Sequence, residues 1–382
     1  MARFTKRQVL ALGGGALAAA AGGYLALRPS PAPVGFAVSD AELAWAREFL
    51  AEHMAIDAHA HPGRTFMRGA EHLSGKVYLA SLLSTFEDQT VAQMKAGGLT
   101  AAAFAAVSDF QALGLNGRML EAVRDFEPGE AWASYQRQIA NLRALSARGL
   151  VHPVLTSADF SGARKAGKPG AFLTVEGGDF LEGKPERVAQ AHADGVRSIT
   201  LMHYRNNELG DIITGKPVHG GLTPAGIEVV KAMNESGLLI DVAHAAEATA
   251  FGILAASTRP VMASHIQIRS SGADHPRFIS RGLAQAVAQR GGGVLGGWPA
   301  GIGISDLAGF VRRTLELVNA VGIDHVCLGT DMDANAAPVL DSYEKLPHFL
   351  VGLRQQGLDD AGIAKLIGGN FIRLFAAACA PG

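Results

Sequence analysis

The sequence predicts a (β/α)8 barrel of the TIM type, and three observations carry that reading. Short apolar runs alternate with longer stretches of helical pattern, which argues for parallel strands joined by helices. Most of these runs end on a histidine or a carboxylate, and the C-terminal end of a parallel strand is where a barrel carries its site. The 382 residues amply cover one such domain, which commonly takes about 250 residues.

Residues 1–36 read as a leader. Arg3, Lys6 and Arg7 precede an apolar stretch from Val9 to Leu27, closed by the Pro-rich RPSPAP, the layout of an export signal. Thr5-Lys6-Arg7-Gln8-Val9-Leu10 resembles a twin-arginine signal with lysine in place of the first arginine. Export to the periplasm is the expectation, with Ala19-Ala20-Ala21 as a cleavage site. An uncleaved anchor is the alternative, since about 18–20 apolar residues span a bilayer, and it is the only membrane contact expected.

The domain is predicted over 37–382. Ser39-Asp40-Ala41-Glu42 is a capping box that opens a helix to about His53. Extended runs follow at 54–58, 99–107, 151–155, 171–176, 196–203, 238–243, 260–265, 293–297 and 325–331. Thr223-Pro224 opens a helix that Gly237 closes, and Ser305 opens another that Gly322 closes. Nine runs are one too many for the barrel. The run 151–155 is excluded, because the 15 residues before the next run include Gly162, Gly167, Pro169 and Gly170. Eight strands then remain, with His59 and His61 on the first, Glu176 on the third, His203 on the fourth, His244 on the fifth, His265 on the sixth and Asp331 on the eighth.

The charge balance, 34 Lys and Arg against 35 Asp and Glu, leaves no electrostatic footprint for nucleic acid. A small molecule is the expected partner, and a homo-oligomer is compatible with the composition. Cys327 and Cys379 alone cannot make a disulfide framework.

The strand-end residues suit a pair of divalent cations. His59 and His61, two apart on a strand, point to the same face and can reach one ion; standing alone, HAH reads equally as a polar strand end. Glu176, between FLTV and two glycines, offers two oxygens that can bridge two cations, and His244 and His265 supply the second ion. Asp331 can carry a proton from water to a leaving amine. Its competing reading is a turn or helix-cap aspartate, a role that suits Asp333 better.

These residues, in this order, resemble the membrane (renal) dipeptidase family of zinc enzymes within the amidohydrolase superfamily. The likeness runs from about residue 54 to about 376 through DAHAH, TVEGG, GVRSITLMHY, DVAH, ASH with a downstream HPR, GTDMD and GGNFIRLF. It implies a dipeptide substrate and two zinc ions bridged by Glu176 and a hydroxide, with His59 and His61 on one ion and His244 and His265 on the other. Asp331 matches the family's catalytic aspartate, and His203 a histidine that stabilises the tetrahedral intermediate. Arg277 matches the arginine that grips the substrate's terminal carboxylate, with Arg269 as the competing arginine. The chain departs from the family pattern at His61, where aspartate is typical, and at Asp179, where histidine is common. A neutral ligand at His61 leaves the ion pair more positive, so its bridging water is expected to ionise more readily. Two alternatives stand beside dipeptide hydrolysis: the same site acting on N-acyl amino acids or other small amides and esters, and a periplasmic binding protein that has lost catalysis.

Overall fold

Eight parallel strands close on themselves in the computed structural model, which describes residues 30–81, 85–117, 119–270 and 274–380. Most of the leader, to residue 29, lies outside the described residues. In chain order the strands are β1 (Ile56–Asp57), β2 (Ala101–Val107), β3 (Leu113–Asn116), β4 (Met119–Ala122), β5 (His152–Pro153), β6 (Gly170–Glu176), β7 (Val196–Thr200), β8 (Leu239–Asp241), β9 (Val261–Ile266), β10 (Val294–Gly297) and β11 (Val326–Leu328). The ring runs β1-β2-β6-β7-β8-β9-β10-β11 and returns to β1. The run at 151–155 stays out of it, because β5 pairs only with the first two residues of β6.

Strands buried on both faces read as unbroken apolar runs, and β2, AAAFAAV, is buried at all seven positions. Each neighbour in the ring is reached through a helical crossover, apart from the antiparallel hairpin β3–β4 inserted after β2. Closure is tight beside β9. A Cβ built on Gly296 or on Gly329 would overlap the carbonyl oxygen of Ser264, so both positions require glycine for space rather than for backbone freedom.

The N-terminal end of the barrel is plugged. Ile56, Ala101, Phe172, Leu239, Met262 and Val294, near the starts of their strands, pack with Phe371, Leu374 and Phe375 of the last helix, Asn370–Ala378. The segment Asp360–Ala378 is apolar and long enough to cross a membrane by composition, yet Ile363, Leu366, Phe371 and Phe375 are buried in this core. That leaves the C-terminal mouth open for chemistry.

Helix signals placed most boundaries well. The capping box at Ser39 and Glu42 forms as expected, with Ser39 N–H donating to Glu42 Oε2 at 2.8 Å. Thr223 caps the helix Pro224–Ser236, and Gly237 ends it in the left-handed region. One boundary shifts by a residue: Asp306 rather than Ser305 caps Leu307–Val321, its carboxylate accepting from Gly309 N–H at 2.8 Å. Ahead of Ser39, the carbonyls of Pro33 and Val34 accept from Leu307 and Ala308 N–H, so the chain is already packed from Pro33.

Candidate metal centre

Several strands end sooner than their apolar runs, so most of the polar residues expected on strands sit on the loops just beyond them. His59 and His61 follow β1, His203 follows β7, His244 follows β8 and Asp331 follows β11; only Glu176, the last residue of β6, and His265 in β9 lie on strands. The loops are fixed by backbone bonds. Asp331 N–H donates to His59 O at 2.8 Å and His61 N–H to Met332 O at 2.9 Å, which zips the first and last barrel loops together. His244 and Asp331 both take left-handed backbone, with φ of 64° and 54°. That conformation costs a non-glycine residue about 1–3 kcal/mol and tends to mark functional positions.

All eight residues singled out by sequence meet at one place. Glu176 lies at its middle, with Oε1 at 3.3 Å from His59 Nε2, 3.1 Å from His244 Nε2 and 3.5 Å from His265 Nε2. Its Oε2 lies 3.3 Å from both His61 Nε2 and His203 Nε2. Asp331 Oδ1 is 3.3 Å from His61 Nε2. The guanidinium of Arg277 reaches in from above Trp298, its Nη2 at 2.9 Å from His244 Nε2. Arg269 is not part of this set; it is half-exposed beside Asp274.

Three buried aspartates that the sequence reading passed over hold the ligands in place. Asp57 accepts from His59 N–H, Thr330 N–H and the hydroxyls of Thr330 and Tyr343. Asp241 accepts from Thr200 Oγ1 at 2.7 Å and Ser264 Oγ at 2.5 Å. Because Ser264 gives its proton to Asp241, it must accept from His265 Nδ1 at 2.9 Å, which leaves His265 Nε2 unprotonated and aimed inward. Asp109 lies 2.6 Å from His203 Nδ1 and also accepts from Tyr204 N–H.

The electrostatics favour an anion surrounded by imidazoles. Burial pushes the Glu176 carboxyl up, but His203 and His59 more than offset it and hold the group well below the ordinary carboxylate value. Burial lowers His61, and Asp331 and Glu176 overcome it, raising the imidazole to about 10. His244 and His265 go the other way, driven well below the usual value first by burial and then by their neighbours Arg277 and His59 respectively. Asp179 is pushed up to about 7 by burial and by Asp109, against the pull of Arg205.

This donor set fits divalent metal. Imidazole nitrogens face each other at 3.2 Å (His59 and His61) and 3.0 Å (His244 and His265). Three groups among the described residues, His59 with His61 and Asp331, His59 with Asp241 and His265, and Glu176 with His244 and His265, each have ligand atoms within 4.8 Å of one another. Mixed imidazole and carboxylate ligands suit zinc, manganese and iron alike. A cavity of about 290 Å3 opens over the cluster, with Glu176, His203, His244, Arg277 and Asp331 on its polar side.

Comparison with known proteins places this geometry. The sequence model for the membrane dipeptidases (peptidase family M19) matches residues 43–380. The dipeptidase verJ of Clonostachys rogersoniana is 30% identical over 57% of this chain and 58% of its own length; the chain spans about half the length of most of the curated relatives it matches. The probable dipeptidase PvdM from Pseudomonas aeruginosa superposes with a TM-score of 0.75 at 19% identity, over 90% of this chain and all of that one. A metallo peptidase from Rhodobacter sphaeroides, liganded with a phosphinate mimic of the dipeptide L-Ala-D-Ala, gives 0.71 at 19% identity, over 85% of this chain and 99% of that one. At such identities the two structures share the fold.

Proposed function

The chain belongs to the membrane dipeptidase family, and on that premise we propose that it hydrolyses the amide bond of dipeptides with two divalent cations, zinc by resemblance to the family. The observation that carries the reading is Arg277. It is 2% exposed, and its Nε and Nη1 have no hydrogen-bond partner. A buried guanidinium left so needs an anion, and the terminal carboxylate of a small peptide fits the fork.

His59, His61 and Asp331 would hold one ion and His244 and His265 the other, with Glu176 between them, its Oε1 facing His59, His244 and His265 and its Oε2 facing His61. When bound, such a pair supplies Lewis acidity toward the scissile carbonyl and lowers the pKa of water. The rest is done by this chain's side chains. Arg277 fixes the carboxylate end of the substrate, so the amide lies over Glu176. His203, held by Asp109, presents Nε2 toward the carbonyl oxygen that gains charge as water attacks. Asp331 takes the proton that water gives up and returns it to the leaving nitrogen as the C–N bond breaks. Export to the periplasm through the basic and apolar leader belongs to the same proposal, and fractionation of cells expressing the full chain tests it.

The hydrolytic reading is tested with metal-loaded protein on a panel of dipeptides and N-acyl amino acids, with a chelated control. Release of free amino acids from the dipeptides supports it. Cleavage confined to the N-acyl compounds would replace it with the acylase alternative.

A further inference from the structure

The cavity over the cluster is lopsided. Arg277 and Trp298 stand at one end, beside His244 and His265. The other end is closed by Phe66, Met67, Val107, Phe110, Leu113 and Leu120. Its aromatic edge is tied to the cluster: the His61 ring meets Phe66 at 5.3 Å, and Phe66 meets Phe110 at 4.9 Å, both edge to face. Glu176 lies between the two ends, touching His244 with one oxygen and His61 with the other.

Among the polar atoms near the apolar end, Asp333 Oδ2 and Arg64 Nε are already engaged. Asp333 Oδ2 accepts from Gly63 N–H at 2.6 Å and Thr90 Oγ1 at 2.7 Å, and Arg64 Nε donates to Asp333 O at 2.8 Å while its guanidinium lies over Phe86. A charged side chain entering there would lose water and find little to replace it. An apolar one would bury its surface against the wall.

Resting on the dipeptidase reading, we infer that this wall is the subsite for the side chain of the substrate's N-terminal residue and that it selects large apolar residues. With the carboxylate held at Arg277 and the amide over Glu176, the first residue is directed toward His61 and so toward Phe66 and Phe110. Val107 comes from the barrel strand β2, Phe66, Met67 and Phe110 from the segments that follow β1 and β2, and Leu113 and Leu120 from the hairpin β3–β4, so the inserted hairpin completes a wall that the barrel loops begin.

The test is kcat/KM of the metal-loaded enzyme on Leu-Ala, Phe-Ala, Gly-Ala, Asp-Ala and Lys-Ala. Leu-Ala and Phe-Ala are expected to exceed Gly-Ala and both charged substrates by at least about tenfold, the scale on which apolar pockets discriminate. In a Leu120→Asp variant the ratio of Lys-Ala to Leu-Ala is expected to rise by at least about tenfold, since the wall then offers a partner for the ammonium. Equal rates on the five substrates overturn the subsite and leave the dipeptidase reading standing. No cleavage of any dipeptide overturns both.

Discussion

His203 Nδ1 lies 2.6 Å from the carboxylate of Asp109, a residue 94 positions earlier, while its Nε2 lies 3.3 Å from Glu176 Oε2. The contact fixes which nitrogen of His203 is turned toward Asp109 and which faces Glu176 and the cavity. Burial lowers the His203 pKa, but Asp109 and Glu176 prevail and raise it. An Asp109→Asn variant keeps the shape and removes the anion. Its kcat is expected to fall about 10–100-fold with little change in KM, as for the loss of an outer-shell carboxylate. Asp109→Glu should recover part of the loss. Unchanged kcat in the Asn variant would make Asp109 a packing residue only.

Arg277 is assigned to the carboxylate, so its loss should appear first in KM. Arg277→Met is expected to lower kcat/KM by about 100-fold, the scale for removing one partner of a buried charge pair. The comparison that decides the assignment uses a dipeptide amide, which lacks the carboxylate. Wild type and variant should cleave it at similar, low efficiency. A wild type that cleaves the amide as well as the free acid would put Arg277 to another use.

Asp331 is placed on the proton in flight, so Asp331→Asn is expected to reduce kcat by about 100-fold or more while KM changes little, the range for a general acid–base group. Its left-handed backbone, with φ of 54°, is tolerated by asparagine as well as aspartate, so the variant should fold. Near-normal turnover in that variant would defeat the assignment.

Asp179 gives the fold a pH dependence. Its carboxyl titrates near 3.8 unperturbed and at about 7 when folded, raised by burial and Asp109. The folded state therefore binds this proton more tightly than the unfolded chain. Stability from this group is present below pH 3.8 and is lost as pH rises toward about 7. An Asp179→Asn variant carries no such group, so its melting temperature relative to wild type should climb across that window. A constant difference between the two would show that Asp179 is ionised throughout.

The convergent cluster was legible because its members lie at or just beyond the ends of apolar runs, and such runs are what a buried parallel strand looks like in sequence. The supporting shell was less so. Asp57 stands two residues before His59 and Asp241 three before His244, and an aspartate so close ahead of a strand-end histidine could have marked both. Asp109 offers no such sign, since its partner His203 is distant in sequence and joined to it only when β2 and β7 flank β6 in the ring. The hairpin β3–β4 had a local signal, Asn116-Gly117 between short apolar stretches, the dipeptide that favours tight hairpin turns. It is masked in the sequence because the hairpin interrupts an otherwise regular alternation of one strand per crossover. Strand ends were overestimated at His203, His244 and Asp331 because loops that carry ligands into a barrel mouth are as buried as the strands.

The glycines of β10 and of the loop after β11 give a check on the barrel that is independent of catalysis. A methyl at Gly329 would press on the Ser264 carbonyl, next to His265. Gly329→Ala is expected to lose about 1–3 kcal/mol or more of stability through overpacking, read as a lower melting temperature. An unshifted transition would mean that the wall of the barrel yields at little expense.

The central claim is that Glu176 and the imidazoles around it hold divalent metal and that hydrolysis depends on it. The direct measurement is turnover of a dipeptide such as Leu-Ala alongside metal content, before chelation, after chelation and after divalent cations are returned. The account predicts about two bound ions per chain, loss of turnover with their removal and recovery on their return. Turnover that survives complete removal of metal, or metal-replete protein that cleaves no dipeptide, would contradict it.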